Sequence, residues 1–159
     1  MSYQAVILTV SDSCAAGTRT DTSGPAIRGM LENAGFAVQA MQTIPDEEGR
    51  ISAAIVHACD ILQADLVVTT GGTGLSPRDV TPEATLAVLD REIRAIPVAM
   101  WVEGLKSTPR AMLSRAVAGT RGHTLVLNVP RSEKAARENL GAVVATLDHA
   151  LRMLAGGGH

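Results

Sequence analysis

Three short runs of the chain are apolar almost without interruption: Ala5-Val6-Ile7-Leu8-Thr9-Val10, Leu66-Val67-Val68-Thr69-Thr70 and Thr124-Leu125-Val126-Leu127-Asn128-Val129. They are β-branched, short and continuous rather than alternating, the pattern of parallel strands covered on both faces. A weaker fourth strand is predicted from Phe36 to about Ile44. Between the strands apolar residues recur at helical spacing. Ile27, Met30, Leu31 and Ala34 form one stripe, with Gly35 placed as the residue after the helix. Ile51, Ile55, Ala58 and Leu62 form a second, and Leu140, Val143, Val144, Leu147, Leu151 and Leu154 a long third. Thr81-Pro82-Glu83 opens another helix, with Thr81 as its N-cap. The stretch from Glu92 to Gly122 reads as helical pieces broken at Pro97 and Pro109. Alternating strands and helices predict an α/β sheet, mostly parallel.

The 159 residues suit one domain, expected over 1–155, with 156–159 as a flexible tail. The hydrophobic share of 46% is enough for a packed core. A net charge of −2 gives no global field for nucleic acid or anionic lipid, and 2% aromatics offer no stacking platform for single-stranded bases. Neither nucleic acid nor membrane is expected as a partner. Cys14 and Cys59 have no metal or disulfide spacing, which suits a reduced, cytoplasmic protein. The apolar run at Ala5–Val10 is too short for a signal segment or a span.

Ligands of open α/β sheets bind beyond the carboxyl ends of the strands. There the chain carries Ser11-Asp12-Ser13-Cys14, Pro45-Asp46-Glu47-Glu48, Thr70-Gly71-Gly72-Thr73-Gly74 and Pro130-Arg131-Ser132. Ser23-Gly24-Pro25 marks a nearby helix start. Glycines let backbone N–H groups approach an anion closely, and Thr70 and Thr73 add hydroxyl donors. The loop is neither a Walker A sequence nor a dinucleotide fingerprint, since no Lys follows Gly74 and Pro77 stands where a third glycine belongs. It reads as a phosphate loop or as a tight turn. Asp79 beside such a loop calls for a bridging cation, and Mg²⁺ suits a carboxylate plus phosphate oxygens. Arg78 offers a planar fork for phosphate. Asp46 is either a helix N-cap or a second carboxylate in the same crevice. The histidines have no ligand spacing, and no nucleophile elbow is present. A phosphate monoester is largely a dianion at neutral pH, its second pKa being about 6, so a substrate phosphate can be its own nucleophile. The protein then has only to align groups and balance charge.

At these residues the chain resembles the MogA/MoaB-type molybdopterin adenylyltransferases, which include the G domain of gephyrin. The likeness runs through Leu8–Ser13, Ser23-Gly24-Pro25, Pro45-Asp46-Glu47, Thr70–Gly74, Arg78–Thr85, Thr108-Pro109, Met112–Arg115, Asn128-Val129-Pro130 and Lys134-Ala135. The resemblance implies a three-layer α/β/α sandwich and a homotrimer. It implies transfer of an adenylyl group from MgATP to molybdopterin with release of pyrophosphate, and a molybdenum insertase as a downstream partner. By the same resemblance Asp46 and Asp79 are the catalytic pair and the Mg²⁺ ligands. Thr70, Gly71, Gly72, Thr73, Gly74 and Arg78 bind nucleotide phosphate. Ser11, Ser13, Ser23, Pro109, Ser114, Arg115, Pro130 and Ser132 surround the pterin. Where the family carries Pro-Gly-Ser-Pro, this chain has Pro130-Arg131-Ser132-Glu133; Arg131 either reshapes this edge or adds a phosphate contact. The alternatives are a molybdopterin-binding scaffold without turnover, an insertase, normally a longer multi-domain chain, or a pyrophosphatase-like relative, which carries a more acidic first loop.

Overall fold

The computed structural model describes residues 2–157. One six-stranded sheet runs through it: β1 (Gln4–Val10), β2 (Ala37–Ile44), β3 (Leu66–Thr70), β4 (Arg91–Glu92), β5 (Ala118–Arg121) and β6 (Thr124–Val129), in the order β2-β1-β3-β6-β5-β4. β2, β1, β3 and β6 are mutually parallel, while β5 and β4 close the edge antiparallel. The helices are α1 (Asp12–Ala15), α2 (Ser23–Asn33), α3 (Glu48–Val56), α4 (Thr81–Leu86), α5 (Ala95–Leu105) and α6 (Glu133–Leu154).

Neighbouring residues of β1 feed opposite faces. Ala5 and Ile7 pack with Ile27 and Leu31 of α2, Met100 of α5 and the Leu140–Leu151 stripe of α6. Val6, Leu8 and Val10 pack with Ile51 and Ile55 of α3 and Ala84 of α4. Helices therefore cover both faces of the sheet, and the architecture is the expected three-layer sandwich. All six residues of β6 are buried, as an uninterrupted apolar run requires.

Most elements fall where the pattern predicts. Gly35 stands at φ +95°, and the bonds Gly35 N to Glu32 O (3.0 Å) and Phe36 N to Leu31 O (2.9 Å) terminate α2. Phe36 is spent on that turn, so β2 starts one residue later. The α3 stripe ends in a π-helical turn, His57–Ile61. Thr81 is not a cap. It is already helical, and its buried hydroxyl has no hydrogen-bond partner.

The stretch 92–122 differs most. Pro97 does not break a helix; it lies in the first turn of α5, where no intrahelical donor is needed. Pro109 opens a 3-10 turn, Pro109–Leu113, capped by Thr108, whose hydroxyl accepts from Arg110 N. Ala118–Arg121 is a strand although Ala-Gly-Thr-Arg carries little apolar signal. It forms because Gly122, at φ +57°, turns the chain back onto β6, and because Gly119 lets β4 approach with no Cβ in the way. At the C-terminus Gly157 N donates to Arg152 O, while 158–159 of the expected tail lie outside the described residues. Among the described residues no helix is long and apolar enough to cross a membrane.

Candidate functional site

Because β1, β2, β3 and β6 run parallel, the loops that follow them share one edge, and hydrogen bonds tie them together there. Ser11 N donates to Ile44 O at 2.9 Å, and Gly71 N donates to Val129 O at 3.0 Å. Thr70 Oγ1 lies 2.7 Å from Pro130 O and 3.0 Å from Ser23 Oγ. Thr70 and Ser23 are thus buried framework beneath the loops, and the threonine hydroxyl is committed to the neighbouring strand end. Ser11 accepts from Cys14 N and so caps α1, with Ser13 Oγ 3.2 Å away.

Two positions of the loop require glycine. Gly71 and Gly72 stand at φ +103° and +70°. A Cβ at Gly71 would collide with Val10 O, and one at Gly72 with Thr81 Oγ1. Gly74 lies against the Asp79 carboxylate, where a Cβ would be 2.9 Å from Oδ2. Arg115 fixes the far side of the loop. Its Nε donates to Gly74 O (2.9 Å), its Nη2 to Asp79 O (2.8 Å) and its Nη1 to Glu83 (2.6 Å). These three bonds make it a clamp between the loop and α4. The Arg115 bond also holds the Glu83 carboxyl below its usual range.

Three carboxylates gather around this loop. Asp12 and Asp46 exchange bonds: Asp12 N donates to Asp46 Oδ2 and Asp46 N to Asp12 Oδ1, both at 2.9 Å. Asp46 is therefore not the cap of α3, whose N-cap position is Glu47. Its carboxylate faces the loop instead, beside Gly72. Burial pushes its pKa up, opposed by the Asp12 amide and the Arg131 charge. Asp12 is held below the usual carboxylate range by Arg78, which grips both its oxygens at 3.0 Å. Arg78 is exposed and engaged with this acid. Asp79 accepts from Ser76 N at 3.0 Å and is half-buried.

A cavity of about 470 Å³ opens at this edge. Of the residues predicted from sequence it brings together Gly72, Thr73, Gly74, Asp79, Ser114, Pro130 and Ser132. Asp46, Ser11, Ser13, Ser23, Thr70, Gly71, Arg78, Pro109 and Arg115 do not line it. Pro109 is exposed, although Arg110 and Ala111 of its turn do form part of the wall. The sequence reading missed Gly104, Arg110, Ala111, Glu138 and Asn139 as lining residues, and the role of Asp12. Asn139 had a signal: it is a buried polar residue on the apolar face of α6, where its Nδ2 donates to Ala135 O at 2.8 Å. Among the described residues no group of three or more His, Cys, Asp or Glu is placed to hold a metal by itself. A cation here would need oxygens from a ligand.

Residues 6–149 match a family described as "Probable molybdopterin binding domain". A solved structure of the molybdopterin biosynthesis enzyme MoaB from Thermus thermophilus is 48% identical, covers 97% of each chain and superposes with a TM-score of 0.92. The molybdopterin adenylyltransferase of Helicobacter pylori strain J99 is 36% identical over 94% of this chain and 86% of its own length. The Drosophila melanogaster molybdenum cofactor synthesis protein cinnamon is 39% identical over 93% of this chain but only 25% of its own. The chain spans half or less of the length of the first curated relatives it matches.

Proposed function

The chain belongs to this molybdopterin-binding family, and on that premise we propose that it transfers the adenylyl group of ATP to the terminal phosphate of molybdopterin, releasing pyrophosphate. The observation that carries the reading is the convergence of Gly72-Thr73-Gly74, Asp79, Ser114 and the Pro130–Ser132 loop on one cavity. The glycine loop presents backbone N–H groups to phosphate. Asp79 supplies a hard oxygen donor on the cavity wall, and Asp46 lies behind it, beside Gly72. Such donors fit Mg²⁺, which takes one or two carboxylates and completes its shell with phosphate and water oxygens. When bound, that ion would neutralise phosphate charge.

The chemistry needs no protein nucleophile. The pterin's terminal phosphate forms the new P–O bond to the α-phosphorus of ATP as the bond to pyrophosphate breaks. The chain's own task is alignment. Ser114, Ser132 and the β6 loop hold the acceptor, and the glycine loop holds the donor, in one cleft. In this reading the domain is 1–155, acts in the cytoplasm as a homotrimer, and hands its product to a molybdenum insertase. The apolar stripe left open on α5 (Val98, Val102 and Leu105) supports self-association.

The test is direct. Purified protein, molybdopterin and MgATP are mixed, and the adenylylated pterin is sought by mass spectrometry. Its formation supports the enzyme. Retention of unmodified molybdopterin with no AMP transfer supports the scaffold reading instead.

A further inference from the structure

The two acids of the proposed pair meet the cavity differently. Asp79 lines it; Asp46, only 6% exposed, does not. In front of Asp46 stands Arg131, which does line the cavity. Its Nη2 lies 3.3 and 3.5 Å from the two Asp46 oxygens and donates to Val10 O at 3.1 Å. The Asp12 amide also takes Asp46 Oδ2. Both Asp46 oxygens are therefore occupied. The Asp12 oxygens are likewise taken by Arg78. Asp79 is different. Its carboxylate receives one backbone N–H, and among the described residues no arginine reaches it; Arg115 bonds only its carbonyl.

Asp12 and Asp46 thus each have a guanidinium against the carboxylate, whereas Arg115 acts on Asp79 only at longer range and makes its ion pair with Glu83. Arg131 is held through Nη2 alone. Its Nε is buried without an acceptor, against Gly71, where a Cβ would come within 3.2 Å. A divalent ion approaching Asp46 would have to displace this guanidinium and work against its charge. At Asp79 no guanidinium has to be displaced from the carboxylate, and the opposing charge of Arg115 is offset by its pair with Glu83.

We propose that Arg131 is a built-in counter-cation for Asp46, and that a divalent ion entering this site is anchored on Asp79 alone. The inference rests on the reading that a cation works here. It makes Arg131 a positioning residue, acting through Asp46.

Mn²⁺ is the probe, with affinity read from the spin-resonance signal of the free ion, with and without ATP, on the whole chain. Asp79→Asn is expected to weaken Mn²⁺ binding about tenfold or more, while Asp46→Asn changes it by less than about twofold. Arg131→Gly is expected to tighten binding about tenfold, and in that background Asp46→Asn becomes as costly as Asp79→Asn, a coupling absent from the parent. Arg131→Lys, which keeps the charge, stays within about threefold of the parent. Circular dichroism checks each fold, and Arg131→Ser carries the same comparison if the glycine variant does not fold. The inference is overturned if Asp46→Asn costs the parent as much as Asp79→Asn, if removing Arg131 leaves affinity unchanged, or if Mn²⁺ binds none of the proteins. The adenylylation assay is independent. A parent that makes no adenylylated pterin yet keeps this order of Mn²⁺ affinities loses the proposed reaction and keeps the role of Arg131.

Discussion

At the scale of single residues, the glycine loop and the acid beside it set the sharpest expectations. Gly72 combines a positive φ with a site where an added Cβ would run into the Thr81 hydroxyl, so Gly72→Ala meets both backbone strain and a collision. A loss of about 1–3 kcal/mol in unfolding free energy is expected, read by denaturant titration. A loss under half a kcal/mol, the ordinary range for neutral surface changes, would show that the loop relaxes freely. Asp79→Asn is nearly isosteric and keeps an acceptor for Ser76 N. It should retain molybdopterin binding, read by calorimetry, and lose adenylylation by about a hundredfold or more, as removal of one charge-stabilising group does elsewhere. Normal turnover with Mg²⁺ would remove Asp79 from the chemistry. Asp46→Asn tests the cost of a buried charge. Both Asp46 oxygens accept, from the Asp12 amide and from Arg131, so an Asn amide must turn its NH2 toward one of these donors, and this variant should melt lower than the parent at neutral pH. A higher melting temperature would mean that relief of the buried charge outweighs the lost contacts.

At the scale of elements, β1, β3 and β6 were legible because both their faces are buried, which writes a continuous apolar run into the sequence, while β2, a largely exposed edge strand, showed only weakly. β4 and β5 were not, because an edge strand of two residues and the segment Ala-Gly-Thr-Arg owe their conformation to pairing with β6, not to local pattern. The same divide runs through the site. The place of Gly71–Gly74 and Asp79 could be read because they follow the carboxyl end of a parallel strand, where an open sheet has its crevice. Which arginine serves ligand and which serves the frame could not, since Arg78, Arg115 and Arg131 look alike until their partners are seen. Arg115 shows the consequence. It joins the glycine loop to α4 through Glu83, and the ion pair depresses the Glu83 carboxyl. A group depressed by folding contributes stability above its usual value of 4.5 and loses it as pH falls through the lower, folded value. Glu83→Gln should therefore narrow the gap in melting temperature from the parent as pH drops from 6 to about 3, a window set by ordinary carboxylate pKa values. A gap that stays constant across that range would show that the pair adds nothing to folding.

At the scale of the whole molecule, the parallel sheet explains why the candidate site lies at one edge, and α5 raises the question of assembly. Val98, Val102 and Leu105 recur at helical spacing, yet are 49%, 57% and 45% exposed, and Met112 and Leu113 add to the same neighbourhood at 65% and 49%. Scattered apolar residues on a surface mean little, but a stripe along one helix marks a face that lacks a partner. The other face of α5 is anchored in the core by Met100, so the helix cannot turn its stripe inward. Gly104, Ala111 and Leu113 of this region line the cavity, so covering the stripe would also steady one wall of the site. Val102→Glu places a charge in the middle of the stripe without touching the core or the cavity. If the chain is a trimer through this face, sedimentation equilibrium should show about 50 kDa for the parent, three times the 16.5 kDa chain, and a single chain's mass for the variant. The variant should keep its helical signal and bind nucleotide more weakly, because a wall of its cavity is no longer braced. A variant that remains trimeric would move the assembly surface away from α5, and a monomeric parent would leave the stripe to another partner.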